Sequence, residues 1–160
     1  MKQQITNSWR YSLLLILLFY NIFPSAFGKD VQPRLKLTKF DFMPYSVNYF
    51  SESDVLLFID PLSNDVYHST DAGESWSIPK DIPRGIVVSL VMHPWSPMRA
   101  YIITEDQEHW TTDDRGQTWR SFIVDRFPSL YRDVMVFHAG DPDKIIWNGM
   151  DCSGIFCDEV

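Results

Sequence analysis

The sequence predicts an all-β protein built from the four-stranded blades of a β-propeller. Three observations predict this class: an octet that occurs twice at a spacing of 43 residues, runs of β-branched and aromatic residues between polar breaks, and an aromatic content of 15%. Loops do not need so many rings, so most of them belong in packed strands. With 45% hydrophobic residues among 160, the composition is that of a globular protein, which excludes disorder and collagen.

The first 28 residues are set apart from the fold. Lys2 and Arg10 supply positive charge without an acid, residues 11–23 are almost wholly apolar, and small residues follow up to Gly28. This three-part pattern is typical of a secretory signal peptide cleaved after Gly28, which leaves residues 29–160 to fold. The alternative is an uncleaved membrane anchor, but a span needs about 20 apolar residues and this run is shorter.

The repeated octet decides the architecture. Residues 69–76 and 112–119 agree position for position in a Ser or Thr, an Asp, a Gly, a second Ser or Thr, and a Trp. The residues concerned are Ser69, Asp71, Gly73, Ser75, Trp76, Thr112, Asp114, Gly116, Thr118 and Trp119. A repeat of this length is typical of propeller blades, in which each sheet buries its faces against its neighbours. A β-sandwich, the main alternative, does not need the same octet twice.

One repeat unit divides into four short strands separated by breaks that contain proline or polar residues. We predict these strands at residues 86–93, 100–104, about 109–112 and 118–124. The match between units extends to His93 and His138, where the spacing has grown to 45 residues. The connection after the second octet is therefore two residues longer than the one after the first, as loops allow.

The octet has the composition of a tight turn with a structural role in the blade. Hydroxyl and carboxylate oxygens can accept backbone N–H groups there, Gly can adopt positive φ, and the Trp ring can fill the gap between blades. The alternative makes Asp71 and Asp114 catalytic acids or Ca²⁺ ligands. Because these residues recur once per blade, we expect a structural role, and the same argument makes His93 and His138 packing or turn residues. We thus expect no catalytic residue, cofactor or metal.

The two cysteines, Cys152 and Cys157, lie close together near the C-terminal end. The secretory route is oxidising, so we expect them to form one short-range disulfide. A zinc site is the alternative, but it needs two further ligands and none of the histidines lies nearby in the sequence.

The charge balance argues against nucleic acid as a partner. The chain carries 14 Lys and Arg against 21 Asp and Glu, a formal charge of −7. A surface that tracks phosphates has the opposite sign.

These motifs carry a family resemblance. Residues 69–76 and 112–119 resemble Asp-boxes, the repeats of sialidases, of some glucan-degrading glycosidases and of sortilin-type receptors. Residues 141–157 resemble the segment of the sortilin and vacuolar protein sorting receptor family in which a strand is followed by a small disulfide-closed loop. Together with the signal peptide, these motifs make the chain similar to the N-terminal part of a fungal receptor of that family.

The resemblance implies a luminal ten-bladed propeller whose channel binds extended protein or peptide cargo in the Golgi and delivers it to the vacuole or endosome. In intact receptors, cysteine-rich modules, one transmembrane helix and a cytoplasmic tail follow. Residues 29–160 would hold two to three blades, as a fragment from a truncated gene model or a degenerate copy. The open blade faces of such a fragment should self-associate. Principal cargo contacts in the family lie mostly in later blades, so no cargo-binding residue is assigned.

Two alternatives belong to other functional classes. A secreted glycoside hydrolase needs a carboxylate pair, or, in sialidases, an arginine cluster and a Tyr nucleophile. The Arg-Ile-Pro motif typical of sialidases is missing, since residues 81–84 carry these letters in the wrong order. A small secreted binding protein would have to fold alone as a monomer, which an open propeller fragment is not expected to do.

Overall fold

The computed structural model describes residues 35, 37–40, 43–129, 131–153 and 156–159, and for Tyr45 and residues 152, 153 and 156–159 it describes the backbone alone. The predicted signal peptide, residues 1–28, lies outside the described residues. All regular structure in the described part is β-strand, which confirms the predicted all-β class. Among these residues, no helix has the length and apolar character needed to cross a membrane.

Twelve strands follow one another along the described part of the chain. They are β1 (Tyr45–Tyr49), β2 (Leu56–Asp60), β3 (Asp65–Ser69), β4 (Val87–Met92), β5 (Ala100–Thr104), β6 (Glu108–Thr112), β7 (Arg120–Ile123), β8 (Phe127–Pro128), β9 (Met135–Phe137), β10 (Ile145–Trp147), β11 (Gly149–Ser153) and β12 (Phe156–Glu159).

Strands β4 to β7 form one antiparallel four-stranded sheet in chain order, which we call blade 2. Each strand boundary lies within two residues of the prediction from the sequence. The run of small, aromatic and β-branched residues in β5 is buried along its whole length. A strand buried on both faces indicates that a further layer covers each side of the sheet.

Strands β1 to β3 form a second antiparallel sheet, which we call blade 1. A single bridge between His68 and Ser77 stands where blade 2 has its fourth strand. The two residues exchange backbone hydrogen bonds of 2.8 and 2.9 Å. Pro79 follows two residues later and has no N–H to donate, so the pairing does not continue.

Strands β9 and β10 form a two-stranded antiparallel sheet, which we call blade 3, with Met135 opposite Trp147. Strand β11 begins two residues after β10 ends and belongs to a separate sheet of order β12-β11-β8. The predicted arrangement of two to three blades is thus present as one four-stranded sheet with a smaller sheet on each side.

The hydrophobic core lies between the blades, because neighbouring residues of a strand point to opposite sides of its sheet. In blade 2, Ile102, Trp110 and Trp119 belong to a buried cluster shared with blade 1. Tyr101 and Ile103 belong to a second cluster, shared with blade 3. We call the side of a blade that faces the blade before it in the chain its preceding flank. The side that faces the next blade is its following flank.

Candidate functional site

The first octet forms a closed hydrogen-bonded turn. The Ser69 hydroxyl accepts the Gly73 N–H at 2.9 Å and donates to the Asp71 carboxylate at 2.8 Å. That carboxylate also accepts the Ser75 N–H at 2.8 Å and the Ser75 hydroxyl at 2.6 Å. The bonds from Ser75 hold the pKa of Asp71 at about 2, so the carboxylate is ionised and its oxygens are occupied within the turn.

The second octet repeats this geometry. The Thr112 hydroxyl accepts the Gly116 N–H at 2.8 Å and donates to the Asp114 carboxylate at 2.7 Å. Asp114 accepts the Thr118 N–H at 2.9 Å and the Thr118 hydroxyl at 2.6 Å. Burial acts to raise the pKa of Asp114, but the Thr118 bonds outweigh it and the pKa lies below its usual value. Both carboxylates therefore accept hydrogen bonds within their own turns, and the structural role of the octet remains a prediction with which these bonds agree.

Each turn contains two successive residues in the left-handed region. Ala72 and Gly73 have φ of 57° and 88°, and Arg115 and Gly116 have φ of 62° and 80°. At both glycines an added Cβ would lie 3.4 Å from the ring of the octet's own Trp, so the ring is packed directly over the turn. Glycine is therefore favoured at both positions because it adopts a positive φ without strain. The Trp ring lies against the same stretch of backbone.

The two histidines at equivalent repeat positions make equivalent turn contacts. The Nδ1 of His93 accepts the Trp95 N–H at 3.1 Å, and the Nδ1 of His138 accepts the Gly140 N–H at 3.2 Å. The buried His93 ring also contacts Phe137 of blade 3, with centroids 4.6 Å apart. Within the described residues, no group of three or more His, Cys, Asp or Glu side chains could hold a metal ion.

His109 is a buried histidine at the boundary between blades 2 and 3, and sequence reasoning did not single it out. It is fully buried, and its ring centroid lies 4.6 Å from that of Trp147. Its Nδ1 accepts the Thr104 N–H at 3.3 Å, whereas its Nε2 has no hydrogen-bond partner. Burial lowers the pKa of His109 to about 4, so the ring is neutral near pH 7.

An ion pair ties blade 1 to the connection that leads into blade 2. The Arg84 guanidinium donates from Nε to Asp65 at 2.6 Å and from Nη2 at 2.5 Å, while Gly85 N–H donates to the same carboxylate at 2.9 Å. The Asp65 side chain is buried, whereas that of Arg84 is exposed. The bonds from Arg84 hold the pKa of Asp65 at about 2. The sequence places Arg84 in a loop but does not reveal its partner, which lies 19 residues earlier.

The cysteines lie opposite each other in a β-hairpin. Strands β11 and β12 pair antiparallel with Cys152 as the register partner of Cys157. The resemblance implies a strand followed by a small disulfide-closed loop, and this register places the two cysteines where a disulfide would close the short segment between them. Their side chains lie outside the description, so the disulfide stays a prediction that this register favours.

Two cavities flank strand β4, the first strand of blade 2. A cavity of about 280 Å³ lies between β4 and blade 1 and is lined by Ser46, Asn48 and Asn64 among others. A larger one of about 500 Å³ lies between β4 and blade 3, next to Met135. Val88 lines both cavities and is 45% exposed. We call β4 with its two cavities the inner groove.

The inner groove presents a strand edge that is partly open. At its start the Val87 N–H donates to the Asn64 carbonyl at 3.0 Å. Strand β4 is one of the two edge strands of its sheet among the described strands, and β7 is the other. His93 N–H donates to Arg99 in the continuation of the β4–β5 ladder, and bonded pairs alternate along an antiparallel ladder. The N–H and C=O of Leu90 and Met92 therefore point away from β5. Near Val88 the register shifts, which takes this residue out of the ladder.

Comparison with known proteins identifies relatives. The Sortilin-Vps10 family model, described as "Sortilin, neurotensin receptor 3", matches residues 64–160. The vacuolar protein sorting/targeting protein 10 of Verticillium alfalfae is 46% identical over 154 residues, covering 96% of this chain and 10% of that protein. The proteins of the same name from Fusarium vanettenii and Sordaria macrospora are 39% identical over 153 residues and 46% over 134, covering 95% and 83% of this chain. The chain spans about a tenth of the length of these curated relatives.

The octet geometry predicts an effect for Thr112→Val. This change removes the hydroxyl that accepts the buried Gly116 N–H, so we expect the free energy of unfolding to fall by about 1–3 kcal/mol. The matched control is Thr70→Val at an exposed position of the first octet, where the change should stay within about 0.5 kcal/mol. Urea denaturation measures both. Equal stabilities for the two variants would contradict the role assigned to the octet hydroxyl.

The lowered pKa of His109 leads us to predict that the protein loses stability on acidification. The folded-state pKa of about 4 lies below the usual 6.5, so between these values the unfolded chain binds more protons. The free energy of unfolding should therefore fall as the pH drops from 6.5 towards 4, with His109 contributing about 1–2 kcal/mol by pH 5. His109→Gln should flatten this slope, measured by urea denaturation at pH 7 and pH 5. His138→Gln, at an exposed ring, is the matched control, and an unaltered slope in His109→Gln would refute the assignment.

Proposed function

The chain belongs to the Sortilin-Vps10 family, and on this premise we propose that it forms the first blades of a receptor that binds protein cargo in the Golgi lumen and delivers it to the vacuole or endosome. The relatives' name, vacuolar protein sorting/targeting protein, supports a role in vacuolar sorting. The ten-bladed ring, the later membrane-spanning segment and the luminal location belong to this proposal.

The inner groove is the observation that carries the proposal. The first strands of the three blades lie around it: β1 and β4 border the smaller cavity, and β4 and β9 border the larger one, as strands around a shared channel would. An extended peptide can pair with the N–H and C=O groups of Leu90 and Met92 and place alternate side chains to either side. The cavity next to blade 1 offers Ser and Asn side chains, and the cavity next to blade 3 is more apolar. The groove thus suits an unfolded or flexible segment of a cargo protein.

The boundary between blades 2 and 3 is where we place the release of cargo by acid. The larger cavity is bounded by Ile103 and Met135, which belong to the buried cluster that joins these blades. His109 packs on Trp147 at the same boundary. We propose that an acidic compartment favours opening of this boundary, because the His109 ring regains its usual pKa and takes up a proton only when it leaves its buried position. Opening would widen the cavity and weaken the binding of cargo.

The proposal assigns no covalent chemistry to the chain. Asp71 and Asp114 are engaged in their turns, and a hydrolase would need carboxylates free to act on a substrate. Non-covalent capture of a cargo segment uses a strand edge and the cavities beside it, and the described part of the chain has both.

Deleting the gene tests the function, and one substitution tests the groove. In the organism that makes the chain, deletion should raise several-fold the fraction of soluble vacuolar hydrolase activity found in the medium. The gene with Val88→Trp, which fills the inner groove from a residue lining both cavities, should fail to reverse this loss. The gene with Ile123→Trp, an exposed residue of the outer strand β7, should restore sorting.

The outcomes separate the two parts of the proposal. Unchanged secretion after deletion would refute the sorting function. Full restoration by Val88→Trp, at a protein level matched by immunoblot, would refute the inner groove as a cargo site and leave the sorting function standing.

A further inference from the structure

The smaller cavity of the inner groove has a polar lining without charge. It measures about 280 Å³ and lies between blade 1 and β4, and we call it the polar cavity. Among the described residues that line it, Ser46, Asn48, Asn64 and Ser89 are polar and uncharged, and the others are apolar. Pockets for whole small molecules measure about 300–1,000 Å³, so the polar cavity suits a single side chain of a bound peptide.

Asn48 occupies a position at which the other two blades carry valine. It is the register partner of Leu57 in blade 1, and Val91 and Val136 are the equivalent residues of β4 and β9. In blade 2, Val91 packs on the cluster that joins this blade to blade 3, so valine meets the needs of blade stacking there. The amide of Asn48 is therefore not required for stacking, and it brings hydrogen-bonding groups to a half-buried position at the polar cavity.

Two residues of the polar cavity have left-handed backbone conformations. Ser46 and Asn64 have φ of 55° and 53°, a region that residues with a Cβ seldom adopt and that Asn tolerates better than Ser. Ser46 lies in a bulge of β1, where the register shifts between Tyr45 and Asn48, and β4 also shifts register near Val88. Bulges turn side chains to new directions and are frequent beside functional sites. The polar cavity therefore lies where both first strands depart from regular pairing.

Hydrogen bonds position Asn64 and Asn48 at the polar cavity. The Asn64 carbonyl accepts the Val87 N–H at 3.0 Å, which holds the turn between β2 and β3 against β4. The Asn48 amide donates from Nδ2 to the Ser46 carbonyl at 2.6 Å, which leaves its Oδ1 as an acceptor. Within the described part of the chain, the Asn64 amide and the Ser89 hydroxyl have no protein partner. These groups can donate to and accept from a side chain that enters the cavity.

The two carboxylates that flank the turn between β2 and β3 are engaged in other contacts. Asp60 accepts the Leu62 N–H at 2.9 Å and the Ser63 hydroxyl at 3.0 Å. Asp65 is paired with Arg84. A charged side chain in the polar cavity would therefore lose water without gaining an opposite charge, which is unfavourable. An uncharged polar side chain would find hydrogen-bonding partners there.

We propose, on the premise that the inner groove binds cargo, that the polar cavity selects a hydroxyl or carboxamide side chain from an extended cargo segment. The segment pairs with Leu90 and Met92 of β4, and its alternate side chains point to opposite sides. One of these side chains enters the polar cavity and bonds to Asn48 and Asn64. Lys, Arg, Asp and Glu are rejected at this position of the cargo, because no described residue of the lining neutralises their charge.

Selection of peptides tests the proposal. The full chain is immobilised near neutral pH, and a phage library of random octapeptides is passed over it. The captured peptides should share one position at which Asn, Gln, Ser and Thr exceed Lys, Arg, Asp and Glu by at least about tenfold relative to the starting library. Val88→Trp should capture none of them above background, which would place the captured peptides in the inner groove.

An added charge identifies the cavity that makes the selection. Asn64→Asp places a carboxylate in the lining, and Asp tolerates the same backbone conformation as Asn. The selected position should then change to Lys and Arg. Leu62→Asp, at an exposed residue of the same turn that does not line the polar cavity, is the matched control and should leave the selection unaltered. Asn48→Val, which installs the residue of the other blades, should replace the polar preference by Val, Ile and Leu.

Near-ultraviolet circular dichroism checks that each variant keeps its fold, and if Asn48→Val loses its signal, Asn64→Asp decides. A selected position that stays the same in the folded variants, or that Leu62→Asp alters equally, would overturn the polar cavity as a selective site and leave the inner groove standing. Captured peptides without a preference against charge would do the same. No capture by the unaltered chain, or equal capture by Val88→Trp, would overturn both the groove as a cargo site and the selectivity of the polar cavity. Deletion of the gene decides the sorting function independently.

Discussion

Burial of each sheet between two neighbours is the constraint on which the structure depends. A blade buries alternate residues of every strand on opposite sides, so a sheet with one neighbour leaves half its apolar residues in water. Strand β5 meets this requirement, since Ile102 packs towards blade 1 and Tyr101 packs towards blade 3. Among the described residues, blades 1 and 3 each have one blade neighbour, and the Phe40 ring contacts Phe58 and Trp76 on the other side of blade 1.

The other interactions hold the blades at the spacing that this burial needs. The octet turns close the outer side of blades 1 and 2 and keep a Trp ring against each turn. The ion pair of Asp65 with Arg84 ties the end of one blade to the start of the next. The inner groove is the space between the first strands, beside the open edge of β4. The stacking of the blades therefore both stabilises the fold and forms the groove to which we assign cargo binding.

The sequence predicted the features that repeat, because repetition is visible without any knowledge of distant contacts. The octet and the β-branched runs predicted the all-β blades and the boundaries of β4 to β7 within two residues. Contacts between distant parts of the chain could not be predicted this way. The partner of Asp65, the neighbour of His109 and the docking of Phe40 on Phe58 depend on how sheets stack, and the residues concerned do not recur in the repeat.

Native-state hydrogen exchange tests the central claim that a blade is stabilised by its neighbours on both flanks. The account predicts that the amides paired within β5, buried between two blades, exchange at least about tenfold more slowly than those within β10, whose following flank is open. Equal protection of β5 and β10, or slower exchange in β10, would contradict it, because the open flank of blade 3 would then cost no stability.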